Sequence, residues 1–247
     1  MKFLPVVSLV ALSVSNVCAQ NFDPAPFELT DGFSIIPQIA ASVRTDDNIY
    51  NNESNTTSSS IFILQPSITF GTDDGINRYG GAYELTSATY SNGSDDNFLD
   101  HDISLFAHTE FSAKHRTDFA LGFANVHEDR GSGLSESDAG AIDEPIKYNE
   151  FTSRGYYQFG GLTSTMRIGG GLEYASKAYQ NFASQTKYGD LTELKLLADA
   201  EYQVGDVTYL TLDINSTDIE YDHLETGTDS RDSVDSRVLL GLKWEGL

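Results

Sequence analysis

Residues 118–124 read Asp-Phe-Ala-Leu-Gly-Phe-Ala, so large apolar side chains alternate with small or polar ones. Successive side chains of a β-strand point to opposite faces, and this alternation is therefore typical of a strand with one apolar face. About ten stretches of the chain share the pattern, from residues 34–44 to residues 236–244, and the connections between them are alternately short and long. The alternation of side chains and the alternation of short and long connections together predict an all-β fold, an antiparallel up-and-down transmembrane β-barrel.

The first residues predict export from the cytoplasm. Met1-Lys2 gives a positive start, residues 3–14 form a short apolar run, and Val17-Cys18-Ala19 offers small residues for cleavage before Gln20. We expect residues 1–19 to be a signal peptide, residues 20–32 a periplasmic extension and residues 33–247 the barrel domain. Lipidation of Cys18 is the alternative, but the residues before it match a lipoprotein signal poorly.

Composition argues against two classes of protein. No later run of about 18 apolar residues occurs, so no transmembrane helix is expected after the leader. The chain has 15 Lys and Arg against 37 Asp and Glu, a formal net charge of −22. Phosphate binding needs clustered Lys and Arg, so we expect no nucleic acid as a partner. The acidic residues suit solvated loops, or loops that bind lipopolysaccharide phosphates through divalent cations.

The connections predict an orientation. The turns near residues 72–76, 113–116, 160–163 and 203–206 are short, whereas the loops near 46–60, 91–97, 129–146, 179–190 and 217–235 are long, polar and acidic. With the N-terminus in the periplasm, every long loop faces the cell exterior. Aromatic residues near strand ends are expected to form interfacial girdles: Tyr90, Phe98, Tyr148, Phe159, Tyr202 and Trp244. A soluble β-sandwich also alternates, but it does not require this asymmetry of connections.

The polar positions of the strands define the candidate site. We expect them to line the lumen: Arg44, Arg78, Glu84, Asp102, His108, Glu110, Asp118, Arg154, Arg167, Glu173, Lys195, Asp199, Asp213 and Arg237. Two interpretations stay open. They line a pore and tune the passage of ions or sugars, or they form ion pairs that fill a narrow lumen. The number of strands decides between these, since ten leave little free bore and about sixteen leave an aqueous channel.

The histidines raise the alternative of an outer-membrane hydrolase. His127 precedes Glu128 and Asp129, and Asp222-His223 lies in another long loop, so an acid/base or metal cluster is conceivable. However, no serine has a recognisable nucleophile context, and the adjacent side chains of Asp222 and His223 point apart in extended chain. We expect no enzymatic activity, no catalytic residue, no metal and no cofactor.

Two segments resemble a known family. Residues 43–50, Val-Arg-Thr-Asp-Asp-Asn-Ile-Tyr, with Gln65-Pro66-Ser67 downstream, and residues 127–132, His-Glu-Asp-Arg-Gly-Ser, are similar to the second β-barrel porin family. Its members are Gram-negative outer-membrane proteins often associated with exopolysaccharide or capsule systems. The resemblance runs from about residue 34 to the end and implies assembly by the barrel-assembly machinery, contact with lipid and lipopolysaccharide, and a link to polysaccharide export.

The ending leaves two possibilities. Family members are considerably longer, and Glu245-Gly246-Leu247 follows the aromatic Trp244 that would otherwise end a last barrel strand. Either ten strands close the barrel or the sequence is part of a larger one, which we favour. We expect porin-like passage of small hydrophilic solutes. The alternative is a narrow structural or adhesive barrel that binds surface polysaccharide.

Overall fold

Eleven antiparallel strands make up the computed structural model, which describes residues 25–30, 32–136, 142–161 and 163–245. They are β1 (Phe27–Thr30), β2 (Phe33–Asp46), β3 (Ser59–Asp73), β4 (Arg78–Tyr90), β5 (Phe98–Ser112), β6 (His115–Glu128), β7 (Ile146–Phe159), β8 (Met166–Tyr179), β9 (Leu191–Gly205), β10 (Thr208–Tyr221) and β11 (Ser233–Trp244). The ten long strands occupy the stretches with alternating side chains. The all-β, antiparallel, up-and-down fold class is confirmed.

The long loops contain the helical turns. Among the described residues they are α1 (Ala183–Thr186) and three 3₁₀ turns, Ser94–Asp96, Gly133–Ser135 and Lys187–Gly189. No helix among the described residues is long and apolar enough to cross a membrane. The predicted signal peptide lies outside the described residues. Part of the predicted extension forms β1, which pairs with the beginning of β2.

Each strand pairs with its neighbours in sequence, from β1 to β11. Short turns join β3 to β4, β5 to β6, β7 to β8 and β9 to β10, and long loops make the other connections between the long strands. In the turn after β3, Asp74 Oδ1 accepts hydrogen bonds from the backbone N–H of Ile76 and Asn77, at 2.8 and 2.6 Å. Gly75 has a φ of +85°, a conformation that favours glycine.

One face of the sheet is apolar and exposed across all ten long strands. Leu121, for example, lies opposite Leu105 on β5, and Leu196 lies opposite Leu172 on β8. Leu121 is 48% exposed and Leu240 is 75% exposed. We call this surface the apolar face, and its members include Ile39, Phe62, Tyr83, Ile103, Leu121, Phe151, Leu172, Leu196, Ile214 and Leu240.

Three of the predicted girdle aromatics lie on the other face. Tyr90, Phe98 and Tyr148 belong to the opposite alternation, and Tyr90 is only 6% exposed. The expectation was wrong for these three because they pack beneath the long loops. Phe159 and Trp244 lie on the apolar face near the short-turn end, 40% and 71% exposed, and so does Tyr202.

The two edges of the sheet are free over most of their length. β1 covers β2 only at Phe33, Ser34 and Ile35, which leaves Ile36–Asp46 without a partner on that side. Within the described ranges, no backbone pairing joins β11 to β1 or β2. The polar backbone groups along these edges need a partner wherever water is excluded.

Candidate functional site

All fourteen candidate residues lie on the face opposite the apolar face. We call this surface the charged face. The strand registers place His108 opposite Asp118, Arg154 opposite Glu173, and Asp199 opposite Asp213. The alternation therefore assigned the side of the sheet correctly at every one of these positions. It did not determine which of the charges would pair.

Ion pairs cross β7, β8 and β9 near their middles. Arg154 Nε lies 3.4 Å from Glu173 Oε1, and Lys195 Nζ lies 3.0 Å from Glu173 Oε2. The three residues are direct register partners on adjacent strands, an arrangement that stabilises a sheet. One carboxylate thus neutralises part of the charge of two cations.

A second group lies nearer the short-turn end of β8 to β11. Glu201 forms ion pairs with Arg167 and Lys243, whose Nζ lies 3.2 Å from Glu201 Oε1 and 2.9 Å from Glu245 Oε1. The ring of Tyr209 lies between the two cations, 5.7 Å from Arg167 Cζ and 5.5 Å from Lys243 Nζ. Arg167 is 8% exposed, so its charge depends on these partners.

A histidine and an aspartate form a pair between β5 and β6. His108 Nδ1 is 2.7 Å from Asp118 Oδ1, and its Nε2 is 3.7 Å from Glu110 Oε1. The candidate residues Glu110, His108 and Asp118 are thus brought together. With a carboxylate on each side, the ring is held in place between β5 and β6.

Other candidate charges have no ion pair within the described part of the chain: Arg44, Arg78, Glu84, Asp102, Asp199 and Asp213. Glu84 and Asp102 are direct register partners, as are Asp199 and Asp213. Like charges placed directly opposite each other destabilise a sheet. Arg237 lies 4.0 Å from Asp235, and both side chains are exposed.

Tyr156 crosses β8 to reach β9. Its hydroxyl donates a hydrogen bond to Asp199 Oδ1, and its side chain passes over Gly169 and Gly171. A Cβ on Gly169 would clash with the Tyr156 hydroxyl, whereas a Cβ on Gly170 would have its nearest neighbour at 3.4 Å. Glycine at position 169 therefore creates the space that lets one aromatic side chain join three strands.

Three long loops meet at Arg130. Its Nε lies 2.5 Å from Asp96 Oδ1, and its Nη2 donates hydrogen bonds to Asp96 Oδ2 and to the Tyr50 hydroxyl, both at 2.6 Å. Tyr50 comes from the β2–β3 loop, Asp96 from the β4–β5 loop and Arg130 from the β6–β7 loop. Burial, with Asp96 beside it, raises the pKa of Tyr50 above its ordinary value. We call these three residues the loop cluster.

A second set of polar contacts supports the loop cluster. His127 Nδ1 lies 2.9 Å from Asp100 Oδ1, and its Nε2 lies 3.1 Å from Asp129 Oδ1. The hydrogen bond from His127 holds the pKa of the Asp129 carboxyl below its ordinary value. The ring of His127 packs on Phe98 with centroids 3.7 Å apart. Both ring nitrogens are thus engaged with carboxylates.

The loops cover the charged face at its long-loop end. Ile61, Ala88 and Tyr90, from β3 and β4, form the buried apolar cluster of the described residues, and Ile49 from the β2–β3 loop packs against it. Glu128, on β6, accepts hydrogen bonds from Lys177 Nζ and the Tyr179 hydroxyl, at 3.1 and 2.8 Å. The outer part of this face is therefore occupied by side chains of the protein.

Sequence reasoning did not identify the loop cluster or Tyr156. Tyr50 and Arg130 lie in the two segments that resemble the porin family, but nothing in their spacing shows that they touch. The run Gly169-Gly170-Gly171 leaves room on β8 for the close approach of a neighbouring group. Glycines at alternate positions of β8, beside a tyrosine on β7, were the signal that could have identified Tyr156.

Comparisons with known proteins identify no family. No family model matches the chain, and no curated protein matches it. The resemblance to the porin family stays a prediction from its motifs. Among solved structures, the chain is similar to the copper transporter OprC, with a TM-score of 0.43 and 10% sequence identity. That match covers 85% of this chain and 38% of the transporter, so the chain spans less than half of the transporter's length.

Gly169→Ala is expected to lower the free energy of unfolding by about 1–3 kcal/mol, because the new methyl group displaces Tyr156 from Asp199. The matched control, Gly170→Ala, is expected to cost less than about 1 kcal/mol, since its methyl group meets only ordinary contacts. Denaturant unfolding followed by the fluorescence of Trp244, the only tryptophan, measures both. Equal losses in the two variants would contradict the role of Tyr156.

Arg130→Met is expected to loosen the β2–β3, β4–β5 and β6–β7 loops together, because it leaves Asp96 buried without a cation. Hydrogen exchange of peptides covering residues 47–58, 91–97 and 129–136 measures the effect. Arg231→Met is the control, since Arg231 belongs to the exposed β10–β11 loop. Faster exchange in only one of the three peptides would show that Arg130 does not join the loops.

Proposed function

We propose that this chain is an outer-membrane β-barrel of a Gram-negative bacterium that passes small hydrophilic solutes. The observation that carries the proposal is the division of one sheet into a continuous, exposed apolar face and an opposite charged face. A soluble protein would bury the apolar face against a second layer. A membrane-spanning barrel instead turns that face to lipid and its polar face to the lumen.

Charge and loop lengths support an orientation. The long loops are acidic and the opposite turns are short, which suits long loops at the cell surface and a periplasmic N-terminus. At the surface, acidic side chains can bridge to lipopolysaccharide phosphates through divalent cations. A barrel of this kind would depend on the barrel-assembly machinery for insertion.

Passage is favoured over catalysis by the surroundings of the histidines. Both nitrogens of His127 are engaged with Asp100 and Asp129, and His108 lies between Asp118 and Glu110. Because both ring nitrogens of His127 are already hydrogen-bonded to carboxylates, this ring is not free to take a proton from a substrate hydroxyl. We therefore propose that the chain is not an enzyme.

The second candidate function is a narrow barrel that binds surface polysaccharide and conducts little. Ion pairs on β7 to β11 and the loops over the long-loop end support it, since both fill space that a wide pore would leave open. Planar-bilayer recordings separate the two functions. Stable single-channel steps support passage, whereas correct insertion without conductance supports the narrow barrel.

A link to exopolysaccharide export rests on the porin-like motifs alone. If it holds, removal of the chain from its host is expected to reduce the polysaccharide released into the medium, and re-expression is expected to restore it. An unchanged yield of polysaccharide would contradict the link while leaving passage of small solutes intact.

Leu196→Arg is expected to lower the free energy of unfolding in phosphatidylcholine vesicles by about 2–4 kcal/mol, because Leu196 lies on the apolar face. Leu197→Arg is the matched control, since the neighbouring leucine lies on the charged face. Its loss is expected to stay below about 1 kcal/mol. Trp244 fluorescence during denaturant unfolding measures both variants. A larger loss for Leu197→Arg would contradict the assignment of the faces.

Glu84→Gln combined with Asp102→Asn is expected to reduce a preference of the pore for cations over anions. Most cations of the charged face have carboxylate partners, whereas these two carboxylates have none, and acidic side chains lining a pore attract cations. Reversal potentials across a bilayer with a KCl gradient measure the preference. Glu225→Gln with Asp229→Asn is the control, because it removes the same charge from an exposed loop. An equal shift in both would contradict the role of Glu84 and Asp102.

A further inference from the structure

Along the free edges of β2 and β11, the backbone N–H and C=O groups have no hydrogen-bond partners in the described sheet. If the sheet lies in a membrane, as proposed above, hydrocarbon offers the backbone N–H and C=O groups of these edges no hydrogen bonds. We propose that β11 pairs with the free edge of β2, with Ser233 opposite Asp46 and Lys243 opposite Ile36. The ten long strands then close into a barrel rather than form part of the larger one that the sequence favoured.

Strand direction permits this pairing. β2 and β11 are the first and last of ten strands that alternate in direction, so they run antiparallel to each other. β1 runs antiparallel to β2, and it therefore runs parallel to β11. Closure through β2 preserves the antiparallel ladder, whereas closure through the four-residue β1 would not.

The free lengths of the two edges match. β1 covers β2 as far as Ile35, so the free stretch is Ile36–Asp46. The stretch Ser233–Lys243 of β11 has the same number of residues. Trp244 then lies where β1 begins to cover β2, and the whole free edge of β2 gains a partner.

The alternation of the two strands agrees with this register. It places Val238 opposite Ala41 and Leu240 opposite Ile39, so the apolar face continues across the seam. A shift by one residue would turn the apolar side chains of β11 to the charged face. Only shifts by an even number of residues keep the faces continuous.

Charge disfavours the even register that is shifted toward the long-loop end of β2. In the proposed pairing, Arg44 lies opposite Asp235, and opposite charges on facing positions stabilise a sheet. A shift by two residues toward the long-loop end of β2 would instead place Arg237 opposite Arg44 and Asp235 opposite Asp46. Arg44 has no ion pair within 4 Å in the described chain and acts on Asp129 only at longer range, so closure would place a carboxylate directly opposite it.

The slope of the sheet also agrees with closure. A line of direct register partners that starts at Ile36 climbs to the first residue of β11, through Thr69, Ala82, Ser104, Gly122, Thr152, Ala175, Glu193, Ile219 and Ser233. If Ser233 pairs with Asp46, this line returns to β2 about ten residues beyond its start at Ile36. That displacement is the shear of the barrel, and for ten strands it corresponds to a strand tilt of about 35°, within the usual range for barrels.

Closure deepens the proposed function by limiting the solute. Ten strands at this tilt give a distance of roughly 9 Å from the axis to the backbone, most of which the inward side chains occupy. Three strands separate β4–β5 from β9–β10 on either side of the ring, so the pair Glu84–Asp102 lies on the opposite wall of the barrel from the pair Asp199–Asp213. The lumen therefore suits small ions rather than oligosaccharides.

Cysteine cross-linking tests the seam in the full chain, in a Cys18→Ser background that removes the only native cysteine. Ala41→Cys with Val238→Cys, and Ser42→Cys with Arg237→Cys, probe two successive facing pairs, one of which has the closer side-chain spacing. We expect an intramolecular disulfide in at least one of them, seen as a monomer of altered mobility after mild oxidation in outer-membrane vesicles. Ala41→Cys with Leu240→Cys is the control for the shifted register and is expected to cross-link at least tenfold less.

A covalent dimer would overturn the proposal and assign the seam to two copies of the chain. Cross-linking of Ala41→Cys with Leu240→Cys in preference to both proposed pairs would overturn the register, and no cross-link in any variant would overturn closure. The result is independent of conductance. A barrel that cross-links but shows no channel activity would support the pairing of β2 with β11 and contradict only the proposed passage of solutes. Arg44→Asp combined with Asp235→Arg provides a second test, since the swap is expected to restore the thermal stability that either single change lowers.

Discussion

The two-residue period of side-chain direction is the constraint on which the rest of the structure depends. Because alternate side chains point to opposite faces, each strand divides its residues into two sets without any tertiary contact. The registers then keep these sets on the same sides from β2 to β11. A single slipped strand would bring charge to the apolar face and apolar groups among the ion pairs. Both faces therefore stabilise one set of registers.

The sequence predicted the ten long strands, the alternation of short and long connections and the side of the sheet for every candidate residue. These features are local, since they follow from neighbouring residues and from turn formers such as Asp74 and Gly75. It did not predict that Tyr90 and Phe98 would lie beneath the loops, because an aromatic residue at a strand end suits an interface and a small apolar cluster equally well. It also did not predict the contact of Arg130 with Asp96, which depends on how two loops fold.

The charged face combines two behaviours that the sequence had offered as alternatives. On β7 to β11, Arg154, Arg167, Lys195 and Lys243 all have carboxylate partners, which is the pattern of a filled interior. On β4 and β5, Glu84 and Asp102 face each other without a cation, at a cost to sheet stability. The cations of β7 to β11 are thus neutralised, whereas the carboxylate pairs Glu84–Asp102 and Asp199–Asp213 keep their charge available to a solute.

The contacts among the long loops join each loop after the first to one that comes earlier in the chain. Arg130 reaches back to Tyr50 and Asp96, Asn181 reaches back to Glu144 and Pro145, and Arg231 reaches back to Tyr188. The long loops can therefore fold in chain order, with every new loop packing against one that has already folded. A substitution that disrupts an early loop removes contacts from the loops that follow it, whereas a substitution that disrupts the last loop leaves the contacts among the earlier loops intact.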